Sequence, residues 1–174
     1  LMIRRPPRPT RKESSAASDV YKRQALCLSI KKSPMVDKIY CFPGNAGTLD
    51  IAENIEIDFS DFNKIKEFSI KNEISLLIVG PEKPLVDGIV DFFKDTKINI
   101  FGPDKISSQL EGSKIFTKKI CEKYNIPTAK FGIFENANDA ISFLDKTQFP
   151  LVVKADGLAS VSYTHLTLPT TPYV

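Results

Sequence analysis

Short apolar runs alternate with segments of helical spacing along most of this chain. Three of the runs are rich in β-prone residues and end at Gly or Pro, which predicts strands. They are Lys38–Phe42, Leu76–Val79 and Ile98–Phe101. The continuous Leu76–Val79 run is typical of a strand buried on both faces. Two later runs, 130–134 and 151–154, predict further strands.

The segments between these runs have the spacing of amphipathic helices. Helices are predicted over Asp61–Lys71, Leu85–Phe93, Lys114–Tyr124 and Ala137–Leu144. Ser60 is the expected N-cap of the first, and Ser113 is a suitable cap for the helix that begins at Lys114.

This alternation predicts an α/β fold with an open, doubly wound parallel sheet, because parallel strands are joined by crossover helices. In such sheets, ligands bind beyond the carboxyl ends of the strands. Three predicted strands end in loops that combine Gly or Pro with polar residues. These loops therefore mark the expected binding edge.

The two ends of the chain differ in composition from its middle. Residues 1–24 are rich in Pro, Arg and Ser without periodicity, which predicts disorder. Residues 161–174 are rich in Thr and Pro and follow an apolar run abruptly. We expect both ends to be non-native tails without function. The alternative is that they are genuine tails of the protein.

The formal net charge of +3 is unevenly distributed along the chain. All five arginines lie in residues 1–24, whereas residues 25–160 contain 17 lysines, 19 carboxylates and no arginine. The middle is therefore mildly acidic. A basic tail can serve as a nucleic-acid arm, but this one lacks interleaved aromatic residues, so no nucleic-acid binding is expected.

Composition excludes several other classes. No stretch of 18 apolar residues is present, so no membrane span is predicted. Cys27, Cys41 and Cys121 have no Cys-x-x-Cys spacing, which argues against structural zinc and fits a reducing cytoplasm. The only histidine, His165, lies in the suspected tail, so no metal cluster and no histidine-based nucleophilic site is predicted.

Two loops in the first half are candidate substrate sites. In Pro43–Thr48, Gly44 and Gly47 would let backbone N–H groups approach a phosphate or ribose, and Asn45 and Thr48 would add side-chain hydrogen bonds. In Gly80-Pro81-Glu82, a carboxylate follows a buried strand and could accept hydrogen bonds from hydroxyls or an amine. The alternatives are an ordinary turn and a solvated Glu.

Two segments in the second half are candidate phosphate sites. Lys114 lies at the positive end of a predicted helix, which favours an anion. Lys154 follows apolar residues and needs either solvent or a negative partner, and the Asp156-Gly157 pair after it permits a tight turn. The alternatives are a surface lysine and a surface-facing edge strand.

Together, six motifs resemble one family in order and spacing. Residues 25–160 closely resemble the N-terminal part of the phosphoribosylamine–glycine ligases, which belong to the ATP-grasp superfamily. The motifs are Ser33–Thr48, Ile78–Leu85, Phe101–Pro103, Leu110–Phe116, Ile126–Thr128 and Lys154–Ala159.

The resemblance implies a Rossmann-like domain over residues 25–110 and the start of an ATP-grasp domain over 111–160. It implies a ligase that joins glycine to 5-phosphoribosylamine through glycyl phosphate, with ATP cleaved to ADP and phosphate. Magnesium, or manganese, would assist, bound by ligands outside this chain. No obligate protein partner is implied.

The resemblance also assigns roles to the candidate sites. Nucleotide binding would fall to Lys114, Lys154, Asp156, Gly157 and Leu158. Phosphoribosylamine binding would fall to Gly44, Asn45, Gly47, Thr48, Gly80, Pro81 and Glu82.

The chain departs from the family at both ends. The first strand and its Gly-rich loop are replaced by the arginine-rich segment, and the Gly-Lys-Gly expected after Ala159 is replaced by Ser160 and Val161. We therefore expect this chain to be inactive. Alternatives are another ATP-grasp ligase or carboxylase, and a nucleotide-binding domain without chemistry.

Overall fold

The computed structural model describes residues 11–147 and 151–158, with only the backbone described for 11–20. The chain divides into two compact units, with the division between Ser108 and Gln109. Helix α5, Lys105–Gly112, runs across this division. None of the helices in the described ranges is long and apolar enough to cross a membrane.

The first unit contains two pairs of parallel strands. Strand β1, Tyr40–Cys41, pairs with β2, Glu53–Asn54, so that Cys41 lies opposite Asn54. Strand β3, Leu76–Ile78, pairs with β4, Asn99–Phe101. The parallel pairing and the intervening helices confirm the α/β class.

The helices of the first unit follow from local sequence signals. Helix α1 spans Arg11–Ile30, and α2 spans Phe62–Lys71. Helices α3, Glu82–Asp87, and α4, Ile89–Phe92, are separated by Gly88, whose φ of 98° is left-handed. A left-handed residue ends a helix, and glycine adopts this conformation without steric cost.

The hydrophobic core of the first unit lies where α2, α3 and α4 meet β3 and the start of β4. Its buried members are Ile65, Leu77, Leu85, Ile89, Phe93 and Ile98. The core therefore holds the strand β3, at whose carboxyl end the Gly80–Glu82 loop begins.

The second unit is built around two capped helices. Helix α6, Lys114–Lys123, begins after Ser113, whose hydroxyl oxygen accepts the backbone N–H of Phe116. Helix α7, Ala137–Leu144, is capped in the same way by Asn136. Neither helix has a buried residue, and the rings of Phe134 and Phe143 lie 5.1 Å apart.

Several sequence predictions are wrong. Residues 130–134 and 151–154 form no strands, because no strand in the described residues pairs with them. Leu76 is 52% exposed, so β3 is not buried on both faces. The N-cap of α2 is Asp61 instead of Ser60, since its carboxylate accepts the N–H of Lys64.

The predicted disorder of residues 1–24 does not hold for residues 11–24, which belong to α1. Two features explain the helix. No Pro or Gly interrupts the chain from Arg11 to Ile30. The C-terminal half of the helix also packs against the loop that follows β1, which stabilises it more than helix propensity alone. Residues 1–10 and 161–174 lie outside the described residues.

Candidate functional site

The Pro43–Thr48 loop is held by its own side chains. The Oδ1 atom of Asn45 accepts the N–H of Gly47 at 2.8 Å, and the hydroxyl oxygen of Thr48 accepts the N–H of Asn45 at 3.0 Å. This reciprocal pattern caps a short 3-10 helix, 46–48. Thr48 is fully buried. Asn45 and Thr48 therefore shape the loop, a role that their prediction as ligand-binding side chains did not include.

Asn54 holds this loop in place, and the sequence reasoning missed it. Its amide Nδ2 donates to the carbonyl oxygen of Asn45 at 2.9 Å, and its Oδ1 accepts the hydroxyl of Thr48 at 2.7 Å. A Cβ atom placed on Gly44 would lie 2.0 Å from Cγ of Asn54. Only glycine fits beside this amide. The sequence signal was faint, since Asn54 lies in a two-residue strand without an apolar run.

One turn of α1 lies against both candidate loops. Arg23 donates a hydrogen bond from Nη1 to the carbonyl oxygen of Pro43 at 2.7 Å. A Cβ on Gly47 would lie 2.6 Å from Oε1 of Gln24, and a Cβ on Gly80 would lie 3.8 Å from Cδ1 of Leu26. The structure thus brings the two predicted substrate loops to the same segment of helix.

The Gly80–Glu82 loop forms the start of α3. Pro81 has an extended conformation and precedes the first helical residue, Glu82, whose side chain is exposed. A carboxylate in the first turn of a helix is favoured by the helix dipole. The helix begins three residues earlier than predicted. Glu82 is thereby available to solvent or to a ligand.

In the second unit, the carboxylate of Asp156 binds the N-terminus of α6. Its Oδ1 accepts the N–H of Ile115 at 3.1 Å, and its Oδ2 accepts the hydroxyl of Ser113 at 3.0 Å. The ammonium of Lys114 donates to the carbonyl oxygen of Gly157 at 2.9 Å. Two candidate nucleotide-binding segments, separated by about 40 residues, therefore lie in direct contact.

The electrostatics of Asp156 reflect this environment. Asp156 is exposed, and its slight burial raises the pKa of the carboxyl group, but the N–H of Ile115, the hydroxyl of Ser113 and the N–H groups of Gly157 and Lys114 outweigh this effect. The net result is a pKa below the ordinary value, because these donors favour the charged form. Asp156 is thus held as an anion.

The remaining candidate residues of this segment are Lys154, Gly157 and Leu158. Lys154 is exposed, and Leu158 is 43% exposed. Gly157 has a left-handed φ of 94°, a conformation that favours glycine. A Cβ atom at this position would have no atom within 4 Å, so packing alone would allow a side chain. The chain bends at Asp156-Gly157, as this residue pair permits.

Two groupings therefore emerge, one in each unit. The first joins the Pro43–Thr48 and Gly80–Glu82 loops along α1, and the second joins Lys114 to Asp156 and Gly157. Across residues 11–147 and 151–158, no group of three or more His, Cys, Asp or Glu side chains could hold a metal ion.

Comparison with known families shows which family this chain belongs to. The model of a family described as phosphoribosylglycinamide synthetase, N domain, matches residues 21–111. The model of the ATP-grasp (A) domain of the same synthetase matches residues 112–167. The chain belongs to the phosphoribosylglycinamide synthetase family. The resemblance inferred from six short motifs is confirmed, and the two matches adjoin close to the division between the structural units.

Curated relatives carry the name phosphoribosylamine–glycine ligase. The protein of Caldanaerobacter subterraneus subsp. tengcongensis is 48% identical over 138 residues, which cover 79% of this chain and 33% of the relative. The proteins of Clostridium acetobutylicum and Pasteurella multocida are 44% and 45% identical, each over 141 residues, 80% of this chain and 33% of the relative. The chain thus spans about a third of the length of these relatives.

Proposed function

We propose that this chain is part of a ligase that joins glycine to 5-phosphoribosylamine, with ATP cleaved to ADP and phosphate, in purine biosynthesis. The observation that carries the proposal is the collinear pair of family matches, an N domain over 21–111 and an ATP-grasp domain over 112–167. The name of the curated relatives states the two substrates that are joined, phosphoribosylamine and glycine.

The first unit would bind the sugar phosphate. A phosphate or ribose oxygen needs hydrogen-bond donors. The side chains of Asn54 and Gln24 fill the space beside Gly44 and Gly47, and the N–H of Gly47 is bonded to Asn45, so these glycines serve the close packing of the loop. The Nδ2 atom of Asn45 has no hydrogen-bond partner among the described residues, although it is buried. A buried donor without a partner costs free energy. A substrate oxygen that reached this amide would therefore be bound favourably.

Glu82 would assist at the same edge. Its exposed carboxylate follows β3 and lies in the first turn of α3. A carboxylate accepts hydrogen bonds from ribose hydroxyls or from an amine. Gly80 and Pro81 would position it, since Pro81 fixes the extended entry into the helix.

The second unit would bind ATP. The ammonium of Lys114 has three donors, and the bond to Gly157 uses one of them, so among the described residues two are available to phosphate oxygens. Lys154 is exposed and would supply a second positive charge. Gly157 and Leu158 would begin the segment that covers the nucleotide.

The chemistry of the parent reaction requires activation of a carboxylate. A glycine carboxylate oxygen attacks the γ-phosphorus of ATP, which breaks the bond to the bridging oxygen and forms glycyl phosphate and ADP. The amine of phosphoribosylamine then attacks the acyl carbon, an amide forms, and phosphate leaves. ATP ligases use magnesium or manganese, but the described residues offer no suitable ligand cluster, so no step is assigned to a metal in this chain.

We also propose how the strands associate and where the enzyme acts. The two parallel strand pairs would belong to one open, Rossmann-like sheet, and the enzyme would act on small molecules in the cytoplasm. The family matches extend from residue 21 to residue 167, so we limit the proposed tails to residues 1–20 and 168–174. The chain itself is expected to release no phosphate.

A chimaera provides the test. Residues of this chain would replace the matching 138 residues of the Caldanaerobacter ligase. We expect ATP- and glycine-dependent phosphate release that requires phosphoribosylamine. A control chimaera carrying Lys114→Ala should lose most of this activity. A well-folded chimaera that releases phosphate with a different amine, or not at all, would contradict the proposal.

A further inference from the structure

Asp156 lies within a candidate nucleotide site, yet both of its carboxylate oxygens are engaged by the chain. We infer that Asp156 is a positioning residue, which fixes the turn at residues 155–158 to the first turn of α6, and is not itself a ligand of the nucleotide's phosphate groups. The consequence for nucleotide binding rests on the proposed function, whereas the attachment of the turn does not.

The hydrogen bonds of Asp156 account for this role. An ionised carboxylate only accepts hydrogen bonds. Its Oδ1 accepts the N–H of Ile115 at 3.1 Å, and its Oδ2 accepts the hydroxyl of Ser113 at 3.0 Å. A phosphate group is also an acceptor and an anion, so it would be repelled by this carboxylate instead of bound.

A second, independent bond fastens the same turn. The ammonium of Lys114 donates to the carbonyl oxygen of Gly157, the residue that follows Asp156. The side chain of Lys114 is thereby oriented by the turn, while Asp156 anchors the turn to the helix. Lys154 lies two residues before Asp156, so the bonds of Asp156 also limit the position of this second lysine relative to α6.

The length and charge of Asp suit this position. A neutral Asn would retain one side-chain oxygen to accept the N–H of Ile115, but it would lose the charge-assisted bonds, which are stronger than neutral ones. An Ala would remove both bonds and leave the first turn of α6 without this partner. The expected order of attachment is therefore Asp, then Asn, then Ala.

Hydrogen exchange tests the attachment without any ligand. Amide exchange at Ile115 would be measured by NMR in the unmodified chain and in Asp156→Ala and Asp156→Asn. We expect exchange at least 10-fold faster in Asp156→Ala and an intermediate rate in Asp156→Asn, because the charge-assisted bond to Ile115 is lost in the first variant and weakened in the second. The Asn variant keeps the test decisive if the Ala variant does not fold.

A matched control comes from α7. Asn136 accepts the N–H of Asp139 at 3.0 Å, so Asn136→Ala removes a helix cap without touching Asp156. Its effect should appear at Asp139 and not at Ile115. Exchange at Ile115 that is the same in all three Asp156 forms, or that responds equally to Asn136→Ala, would overturn the inference.

ATP binding by titration calorimetry gives the second readout. If Asp156 positions Lys114, Asp156→Ala should weaken ATP binding about 10-fold and Asp156→Asn should recover part of it. Stronger ATP binding by Asp156→Ala would mean that the carboxylate blocks the site, which contradicts a positioning role. If no form binds ATP, the proposed function of this segment fails, while the exchange data still decide the attachment.

Discussion

The guanidinium of Arg23 donates a hydrogen bond to the carbonyl oxygen of Pro43 at 2.7 Å, and so joins α1 to the first residue of a candidate substrate loop. Arg23 is part of the segment that composition alone assigned to a disordered tail. Its contact shows that the C-terminal half of α1 belongs to the first unit. The family match, which begins at residue 21, has the same implication.

Arg23→Ala should destabilise the chain by about 1–2 kcal/mol, because a hydrogen bond from a charged donor to a half-buried carbonyl is lost. Urea unfolding followed by circular dichroism measures the change. Lys32→Ala is the matched control, since Lys32 is an exposed cation just beyond the same helix. Equal effects of the two substitutions would show that the Arg23 contact contributes nothing.

Gly44→Ala should disrupt the Pro43–Thr48 loop. The new methyl group would overlap Asn54, whose amide holds both Asn45 and Thr48. Overpacking of this kind costs about 1–3 kcal/mol. Thermal unfolding measures the loss, and the NMR signals of the Asn54 side-chain amide should shift.

Gly47→Ala provides the comparison for this loop. Its Cβ would meet the end of the Gln24 side chain, which can move aside. We therefore expect a smaller effect than that of Gly44→Ala. Stabilities in the reverse order would contradict the assigned role of Asn54.

The comparison of sequence and structure separates local from non-local information. The helix Ala137–Leu144 was predicted with its bounds, because apolar spacing is a local signal. Strand β2 was missed, since Glu53 and Asn54 become a strand only by pairing with β1. The predicted strands at 130–134 and 151–154 failed for the converse reason, as apolar residues alone do not supply a partner strand.

The same distinction applies to the candidate site. The chemistry of Lys114 and Asp156 was inferred from residue type, but the bonds from Lys114 to Gly157 and from Ile115 to Asp156 span about 40 residues and left no local trace. Helix α5 was missed because Ile106 and Leu110 alone give no clear apolar face in the sequence, and both are exposed in the structure. Its cap, Asp104, accepts the N–H of Ser107.

Gly88→Ala should destabilise the boundary between α3 and α4. The residue has a φ of 98°, a left-handed conformation that costs a non-glycine residue about 1–2 kcal/mol. The sequence predicted one helix across Leu85–Phe93, and the alanine should favour that continuous helix. An unfolding free energy lowered by this amount supports the assignment.

The unfolding free energy of Gly132→Ala provides a comparison for Gly88→Ala, because Gly132 has no left-handed φ and its substitution adds no strain of that kind. Its Cβ would instead meet the ring of Phe134 at 2.5 Å. An increase in stability for Gly88→Ala would contradict the strain argument, since a strained residue cannot gain from the change.

The carboxylate of Asp91 should contribute stability that depends on pH. Its hydrogen bond with Lys94, followed by the N–H of Lys105 at 2.7 Å, lowers the pKa of this group below 3.8. A lowered pKa in the folded state means that the contribution is complete above pH 3.8 and is lost as the pH falls through the folded value.

Asp91→Asn should therefore be less stable than the unmodified chain at pH 6, and the difference should shrink as the pH is lowered below about 3.8. Urea unfolding at pH 6, 4 and 3 measures this difference. Lys94→Gln separates the two partners, as it leaves the bond to the N–H of Lys105 in place. A difference that grows in acid would show that the sign of the shift is wrong.

The thiol of Cys27 should be unusually unreactive. Burial, and then the neighbouring Cys41, raise the pKa of Cys27 from 9.0 to about 11. At pH 8, a shift of two units lowers the thiolate fraction by about 100-fold, and the thiolate is the reactive form. Burial slows the reagent further, because Cys27 is only 6% exposed. Cys121, which is less buried, serves as the internal control.

Alkylation with iodoacetamide at pH 8, followed by mass spectrometry of peptides, measures the relative rates. We expect Cys121 to react first and Cys27 at least 100-fold more slowly in the folded chain. The difference should vanish in urea, where both thiols are exposed. The raised pKa of Cys27 also affects stability. Its contribution to the free energy of unfolding is complete below the unfolded pKa of 9.0 and should be lost as the pH rises from about 9 towards 11. Rapid labelling of Cys27 in the folded chain would mean that α1 separates from β1 often enough to expose it.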